Sequence, residues 1–288
     1  MSRLPVTVVI PARNEERNLP ECLRRLARFE RVVLVDSGST DRTCELARAA
    51  GAEVVQFQWD GRFPKKRNWF LRTQRIATPW VLFLDADEYV DDAFCDELAR
   101  TLPATAHAGF WIPYANWFLG RRMDHGDANR KLALFRAGAG EYERIDEDHW
   151  SNLDMEVHEH PVLAGTVGEL TTRVDHRDDR GIEHWLRKHN DYSTWEAHRA
   201  ARLRAQGAAG EASLTPRQRR KYASLGKWWL PAAYFADSYL RRRGFLDGYA
   251  GFVYAALKAI YFWEIGLKLR ELQSRESAAS GGDARGRG

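Results

Sequence analysis

Three carboxylates follow directly on a strongly apolar stretch of the chain. Val81 to Leu84 are consecutive large apolar residues, typical of a buried strand, and Asp85, Asp87 and Glu88 come immediately after them. Acids crowded at the end of a buried strand repel one another and resist losing their water, so we expect a positive partner there. Of two carboxylates one residue apart, one can coordinate a hard cation such as Mg²⁺ or Mn²⁺ while the other holds a ribose hydroxyl or a metal-bound water. The remaining ligands of such a cation are often phosphate oxygens. A plain surface turn would also account for this acidic run.

The segments before this strand alternate between strand and helix patterns. Apolar and β-branched runs at 6–12, 31–36 and 53–59 each precede a stretch with apolar residues at helical spacing. This alternation is typical of parallel βαβ units, so the predicted fold class is α/β, with a Rossmann-like, mostly parallel sheet flanked by helices. Ligands of such sheets bind beyond the carboxyl ends of the strands. The sequence contains neither G-x-G-x-x-G after the first strand nor GxxxxGK[ST], which argues against dinucleotide and P-loop sites.

The chain becomes largely helical from Ile182 onward. We predict a catalytic domain over residues 1–180, a helical, basic and aromatic extension over 181–275, and a disordered tail over 276–288. From Pro216 to Gly288 there are 14 Lys and Arg against 6 Asp and Glu, whereas the whole chain has a net charge of only +4. Such an excess predicts an anionic partner, either a membrane surface or a nucleic acid.

The composition of the extension favours a membrane surface over a nucleic acid. "KWWLPAAYFADSYLRRRGF" mixes aromatic and basic side chains suited to lipid headgroups, and no RRM, helix-turn-helix or zinc-finger pattern is present. The alternative is that these aromatics only pack the last helices onto the body. The apolar runs look too short to span a bilayer, the N-terminus lacks a secretory signal, and three scattered cysteines favour a reducing compartment. The expected location is cytoplasmic and peripheral to the membrane.

Four motifs in a fixed order resemble those of the family 2 glycosyltransferases, which have the nucleotide-sugar-binding GT-A fold. They are "VVIPARNEERNL", "VVLVDSGSTDRT", "KKRNWF" and "WVLFLDADE". The family's second motif is usually closer to "VDDGSTD", and Ser37 stands here in place of the second acid. The later pieces "VHEH", "RKHNDYSTWEA" and "GFLDGYAGFVYAALKAIYFW" resemble a bacterial branch that includes β-glucosyltransferases of the lipopolysaccharide core.

The resemblance implies a nucleotide-sugar pocket at the carboxyl ends of the strands. Asp36 is expected to accept a hydrogen bond from uracil or another base, and Asp85 to face the ribose. Arg13 and Glu15 could instead belong to a solvated loop, and Asp36 could merely cap the turn that follows it. The expected nucleotide-binding residues are Pro11, Ala12, Arg13, Glu15, Asp36, Ser39, Arg67, Asn68 and Asp85.

The resemblance also implies a divalent cation, Mg²⁺ or Mn²⁺, bound by Asp87 next to the diphosphate. His176, at the end of "TTRVDH", is expected to be a further protein ligand. The alternative for His176 is a structural role.

Inverting transfer requires a base that takes a proton from the acceptor hydroxyl. "DMEVHEHP" offers Asp154, Glu156 and Glu159, and the resemblance of "VHE" to the family favours Glu159. If this segment is a strand, Glu159 lies on the face opposite Glu156 and His158. Asp154 and Glu156 remain open as candidates, as does a surface role for all three acids.

The predicted function is transfer of a hexose, with UDP-glucose as the expected donor, to a lipid-linked glycan such as the lipopolysaccharide core. The expected site is the inner face of the bacterial inner membrane. One alternative is a sugar-nucleotide nucleotidyltransferase, which would need a glycine-rich loop after the first strand, where "PARNEERN" has no glycine. The other is a non-catalytic membrane-docking protein with a vestigial nucleotide fold.

Overall fold

A computed structural model describes residues 3–285 except 128, 146, 148, 149, 152, 157, 158, 179 and 213, with side chains described up to residue 275. The chain divides into two compact units. The sheet unit comprises Met1–Trp117 and Ala128–Asp178, and the helical unit comprises Phe118–Asp127 and Asp179–Gly288. The sequence places a boundary at residue 180 and does not anticipate that residues 118–127 group with the C-terminal helices.

The strands form one large mixed sheet and a small two-stranded sheet. The strands are β1 Leu4–Ala12, β2 Phe29–Asp36, β3 Glu53–Gln56, β4 Trp80–Phe83, β5 Glu88–Tyr89, β6 Gly109–Phe118, β7 Arg121–Arg122, β8 Asn129–Arg136, β9 Gly140–Tyr142, β10 Pro161–Leu163, β11 Val167–Glu169 and β12 Val174–His176. The large sheet has the order β3-β2-β1-β4-β8-β6-β12-β5, and β9 pairs with β10. Strands β1 to β4 pair in parallel, whereas β8 is antiparallel to both β4 and β6.

Helices cover the sheet and make up most of the helical unit. The predicted α/β class with a helical C-terminal region is confirmed. The helices are α1 Leu19–Arg24, α2 Thr43–Ala49, α3 Lys66–Thr73, α4 Asp92–Thr101, α5 Ile182–Gln206, α6 Ala208–Ala212, α7 Pro216–Ser224, α8 Leu230–Phe235, a π-helical segment Ala236–Arg241, a 3₁₀ turn Gly244–Asp247 and α9 Gly248–Arg285.

The central strands are apolar on both faces because helices pack on both sides of them. Val8 and Ile10 of β1 belong to one buried cluster with Leu19 of α1, whereas Val9 belongs to a second cluster with Phe70 of α3. Successive side chains of a strand point to opposite faces, so a strand between two helical layers must be apolar throughout.

Two segments of the sheet unit differ from the sequence prediction. β4 ends at Phe83, and Asp85 to Glu88 form a turn closed by a hydrogen bond from Glu88 N to Asp85 O of 3.0 Å. The prediction of a strand over "DMEVHEHP" is wrong for its described residues before Pro161, because β10 begins only at Pro161. Val157 and His158 lie outside the described residues.

The last helix is longer than the sequence suggests. The backbone of α9 continues as helix to Arg285, into the predicted disordered tail, because extending an existing helix is far easier than starting one. The stretch Gly244–Arg275 is, by length and composition only, long and apolar enough to cross a membrane. The sequence-based expectation that the apolar runs are too short is therefore wrong on length, since the helix continues through Lys258.

Candidate active site

The acids after β4 are neutralised by cations of the chain itself. Arg67 Nη2 lies 2.7 Å from Asp85 Oδ1, and Lys131 Nζ lies 2.9 Å from Asp85 Oδ2 while also contacting Glu88. The Tyr114 hydroxyl donates to Glu88 Oε2 at 3.1 Å. Burial acts to raise the pKa of Asp85, but Lys131 and Arg67 outweigh it, so that this pKa lies well below its usual range. Arg67 and Lys131 thus supply much of the positive charge that the sequence predicts beside these acids.

Lys131 was not identified from the sequence. It lies on β8, which the large sheet places between β4 and β6, far from β4 along the chain. The alternating pattern of "RKLALFR" predicts a strand but not which strand it pairs with. A single sequence therefore carries no signal that Lys131 reaches Asp85.

Asp87 and His176 face each other across the end of the sheet. The distance between Asp87 Oδ2 and His176 Nε2 is 3.6 Å. β12 brings the histidine there, because it pairs with β5 on one side and β6 on the other, with His176 opposite Glu88 and Asn116. Asn116 Oδ1 lies 3.2 Å from His176 Nδ1, which directs Nε2 towards Asp87. An imidazole oriented through its other nitrogen is typical of a metal ligand.

The residues present fit a hard divalent cation that is shared with a phosphate ligand. Over the described part of the chain, no group of three or more His, Cys, Asp or Glu side chains is arranged to hold a metal ion. Asp87 and His176, 3.6 Å apart, could provide two ligands. Mg²⁺ commonly takes its remaining ligands from substrate phosphates and water.

Asp36 closes the turn after β2 with its own carboxylate. It accepts hydrogen bonds from Gly38 N at 3.1 Å and from Ser39 Oγ at 2.5 Å, and Ser39 N also donates to it. Burial acts to raise the pKa of Asp36, but the hydrogen bonds from Ser39 outweigh it and the pKa is lowered. The turn-capping role left open by the sequence is therefore present. A carboxylate has further lone pairs, so hydrogen bonding to a base stays a prediction.

The loop after β1 is tied to this turn. Asn14, whose φ is +56°, receives a hydrogen bond on its Oδ1 from Thr40 N at 2.8 Å and donates from its backbone N to Ser39 Oγ at 2.9 Å. Glu15 N donates to Thr43 Oγ1 at 2.8 Å. The first two predicted motifs are thus joined at the carboxyl ends of β1 and β2.

The other predicted pocket residues of this loop differ in exposure. Pro11 and Ala12 are buried in β1, where they pair with Val35 and Asp36 of β2. Arg13 is exposed just beyond the strand. Of these three side chains, that of Arg13 can reach a ligand bound above the sheet edge.

The start of α3 is buried and capped from a distant segment. Lys65, at the N-cap, makes no capping hydrogen bond with its side chain. Glu156 instead accepts from Arg67 N at 2.8 Å and from Asn68 N at 3.0 Å. The Asn68 amide exchanges hydrogen bonds of 3.0 and 2.8 Å with the backbone of Tyr142. Because Asn68 is fully buried, any effect it has on a base or phosphates would act through the position of α3.

Two lysines at this helix start pair with the other candidate bases. Lys65 Nζ contacts Glu147 and lies 3.1 Å from Glu159 Oε1, and all three side chains are buried. Lys66 Nζ lies 3.2 Å from Asp154 Oδ2. Burial raises the pKa of Glu159 by more than Lys65 lowers it. A carboxylate with a raised pKa is a better proton acceptor near neutral pH.

Glu156 and Glu159 both point towards α3, so the prediction that they lie on opposite faces is wrong. That prediction assumed the alternation of a strand, and this segment is not a strand. Arg67 links this segment to the turn formed by Asp85 to Glu88, called the acidic turn below. Its Nη1 donates to Glu156 O at 2.5 Å, and its Nη2 donates to Asp85. The structure thus gathers Arg67, Asp85, Asp87 and His176 at one edge of the sheet.

Comparisons with solved structures give partial likenesses. Staphylococcus aureus TarS 1-349 aligns with 94% of this chain and 92% of its own, at 15% identity and a TM-score of 0.43. Glucosyl-3-phosphoglycerate synthase from Mycobacterium tuberculosis, crystallised with Mn²⁺, UDP and glucosyl-3-phosphoglycerate, aligns with 39% of this chain and 44% of its own, at 26% identity and a TM-score of 0.32.

Several sequence relatives match nearly the whole chain. The chain is 28% identical over 292 residues to the "Lipopolysaccharide core biosynthesis glycosyltransferase LpsC" of Rhizobium meliloti (strain 1021), with 98% of each chain covered. An uncharacterized glycosyltransferase of Rickettsia typhi is 24% identical over 96% of this chain and 90% of its own. The model of "Glycosyl transferase family 2" matches residues 7–154, just over half of the chain. The chain therefore belongs to glycosyl transferase family 2.

Proposed function

We propose that this protein is an inverting glycosyltransferase that moves a hexose from a nucleotide diphosphate donor to a lipid-linked glycan. The observation that carries the proposal is the Asp87–His176 pair at the carboxyl edge of the sheet, next to an Asp85 already neutralised by Arg67 and Lys131. The full-length similarity to LpsC supports lipopolysaccharide core as the acceptor class and bacterial cytoplasm as the location. The proposed donor is UDP-glucose.

The nucleotide is proposed to bind along the edge formed by β1, β2 and the turn after β4. Asp36 would accept from the base, and Asp85 would accept from a ribose hydroxyl while its ion pairs hold it in place. Arg13 is exposed at the same edge and can approach the donor from solvent. Glu15 and Ser39 are proposed to shape the pocket from their loops, Pro11 and Ala12 from the end of β1, and Asn68 from α3. Arg67 is proposed to act through its bond to Asp85.

Asp87 and His176 are proposed to hold Mg²⁺ or Mn²⁺ against the diphosphate. When bound, the cation would stabilise negative charge that builds on the leaving diphosphate. The chain's own contribution is orientation: Asn116 fixes the ring of His176, and β12 holds that ring beside Asp87. Held in this way, the two side chains would keep the cation, and with it the leaving diphosphate, at one position.

Glu159 is proposed as the base. The acceptor oxygen forms a bond to the anomeric carbon while the bond from that carbon to the diphosphate oxygen breaks, and Glu159 takes the hydroxyl proton. Attack from the face opposite the diphosphate inverts the anomeric configuration. Lys65 lies beside Glu159 and limits how far burial raises the carboxyl pKa.

The helical unit is proposed to associate with the inner face of the bacterial membrane. Large apolar residues are exposed on it, among them Trp228 with 85% and Tyr249 with 77% of the residue surface accessible. The acceptor of a lipopolysaccharide pathway is anchored in that membrane, so a peripheral enzyme meets its substrate there.

A donor panel tests the proposal. Purified protein is incubated with UDP-glucose, UDP-galactose and GDP-mannose, with Mg²⁺ or Mn²⁺ and a lipopolysaccharide-core acceptor, and nucleotide release and product mass are measured. We expect UDP release with UDP-glucose and an acceptor heavier by one hexose. Pyrophosphate as product would support the nucleotidyltransferase alternative. No turnover and no thermal stabilisation by UDP with Mn²⁺ would support the non-catalytic alternative.

A further inference from the structure

Helix α9 carries an exposed apolar stripe along one side. Its side chains recur three or four residues apart, with Ala256 filling the one wider gap, and each is exposed by 44–77%. From Tyr249 to Leu267 the stripe is about 27 Å long at the rise of an α-helix. This α9 stripe consists of Tyr249, Phe252, Ile260, Trp263 and Leu267 of the helix, together with Phe245 of the 3₁₀ turn directly before it.

The stripe continues onto the segment that precedes α9. The ring of Tyr239 lies 5.7 Å from that of Phe252 and 6.2 Å from that of Phe245. Leu240 and Leu246 are also exposed, by 60% and 48%. Soluble monomers rarely expose a continuous apolar surface of this extent, so the α9 stripe requires an apolar partner.

Basic residues lie at both ends of the stripe. Arg241, Arg242 and Arg243 precede it and are all exposed. Asp237 pairs with two of these arginines, which leaves the cluster with a net positive charge. Arg270 is exposed just after Leu267, and the exposed Glu271 beside it pairs with Arg275, which leaves this end with a net positive charge. An apolar strip bordered by cations at each end matches an anionic bilayer surface, where rings enter the acyl boundary and cations remain among headgroups.

The opposite side of α9 is occupied by α5, which argues against a membrane-spanning arrangement of this fold. The ring of Trp185 lies 6.3 Å from that of Tyr254, and the ring of His189 lies 5.6 Å from that of Tyr261. Further along, Lys268 Nζ donates to Asn190 O at 2.8 Å.

Moving α9 across a bilayer would therefore carry α5 with it. The exposed charges of α5 that would enter the hydrocarbon core include Glu183, Arg187, Asp191 and Arg204. Charged side chains inside a bilayer are costly, whereas an amphipathic helix lying in the interface leaves them in water.

We propose that the helical unit binds an anionic lipid bilayer with α9 lying in the plane of the interface. The α9 stripe enters the boundary between headgroups and acyl chains, and Arg241–Arg243 contact the headgroups. The inference specifies the membrane partner of the proposed function and does not depend on its chemistry.

Vesicle flotation tests the surface. The full-length protein is floated with phosphatidylcholine vesicles with or without phosphatidylglycerol, in wild type, in a Tyr249→Ser/Trp263→Ser variant, and in a Leu186→Ser control that alters an exposed leucine of α5. We expect wild type and control to float with the anionic vesicles and the double variant to float at least tenfold less. Equal flotation of all three proteins would overturn the proposal. So would a wild type that does not float and forms a dimer in solution, because the stripe would then be covered by a second copy of the chain.

Cysteine labelling tests the orientation. In a Cys44→Ser background, Arg242→Cys and Ser274→Cys place thiols before and after the apolar part of α9. With protein added to sealed anionic vesicles, a membrane-impermeant maleimide should label both thiols to the same extent. Protection of one thiol until detergent is added would show a spanning helix and overturn the in-plane arrangement.

Donor hydrolysis separates this inference from the proposed chemistry. UDP release without vesicles should be the same in wild type and in the Tyr249→Ser/Trp263→Ser variant. If neither protein releases UDP, this would count against the proposed function but would not affect the flotation result. Loss in the variant alone would mean that the stripe supports the fold, and would overturn its assignment as a lipid-binding surface.

Discussion

Arg67 and Glu156 are joined twice: Arg67 N donates to Glu156 Oε2 at 2.8 Å, and Arg67 Nη1 donates to Glu156 O at 2.5 Å. Through this pair the segment that carries the candidate base holds both the start of α3 and the guanidinium that reaches Asp85. The position of Glu159 and the electrostatics of the acidic turn are thus coupled through two residues.

Replacing Glu156 with alanine should destabilise the sheet unit. The buried N–H groups of Arg67 and Asn68 would lose their acceptor, at a cost of about 1–3 kcal/mol. Glu156→Gln keeps one acceptor oxygen and should lose less. Urea unfolding followed by circular dichroism measures the difference. Glu141→Ala, which removes an exposed ion pair with Arg72, is the control and should change stability by less than about 1 kcal/mol. Equal losses in both alanine variants would contradict the capping role.

Replacing Lys131 with methionine should leave Asp85 and Glu88 facing each other without their shared cation. We expect a loss of about 1–3 kcal/mol in the free energy of unfolding, because the Glu88 carboxylate is buried. A Lys131→Met/Glu88→Gln double variant removes one of the two charges and should recover part of that loss. A double variant less stable than Lys131→Met would show that the three side chains do not act as one network.

Replacing Lys65 with methionine should move the acid limb of the pH–rate profile. A base must be deprotonated to act, so kcat/KM rises with pH through the pKa of Glu159, which burial raises above its ordinary value. The positive charge of Lys65 lowers that pKa, and its removal should shift the limb to higher pH. Lys66→Met is the control, because Lys66 pairs with Asp154 instead, and its limb should stay at the wild-type position. An unmoved limb in Lys65→Met would argue against Glu159 as the base.

Local patterns are enough to predict β1, β2 and β4 and the carboxyl edge that they share. These strands are buried on both faces, so their residues are apolar at consecutive positions and not only at every second one. The ends of the apolar runs, at Ala12, at Asp36 and before Asp85, therefore predict where polar side chains gather. The family resemblance predicts Asp87 and His176 as ligands of the same cation, and in the structure Asp87 Oδ2 lies 3.6 Å from His176 Nε2.

Long-range pairing could not be predicted from one sequence. Lys131 reaches Asp85 because β8 inserts beside β4, and no local feature specifies that neighbour. Glu156 was misplaced because its segment alternates acidic and apolar residues as an exposed strand does, whereas its carboxylate is buried as a helix cap. Because Glu156 lies almost ninety positions from α3, the sequence around α3 does not show that this residue caps the helix.

The most direct test of the central claim is the binding of Mn²⁺ with UDP, measured by electron paramagnetic resonance of free and bound Mn²⁺. Wild type, Asp87→Asn, His176→Ala and a Glu169→Gln control, which alters an exposed acid elsewhere in the sheet unit, are titrated with Mn²⁺ at saturating UDP. We predict tight UDP-dependent binding in wild type and control, and at least tenfold weaker binding in Asp87→Asn and His176→Ala. Unchanged Mn²⁺ affinity in Asp87→Asn would contradict the account.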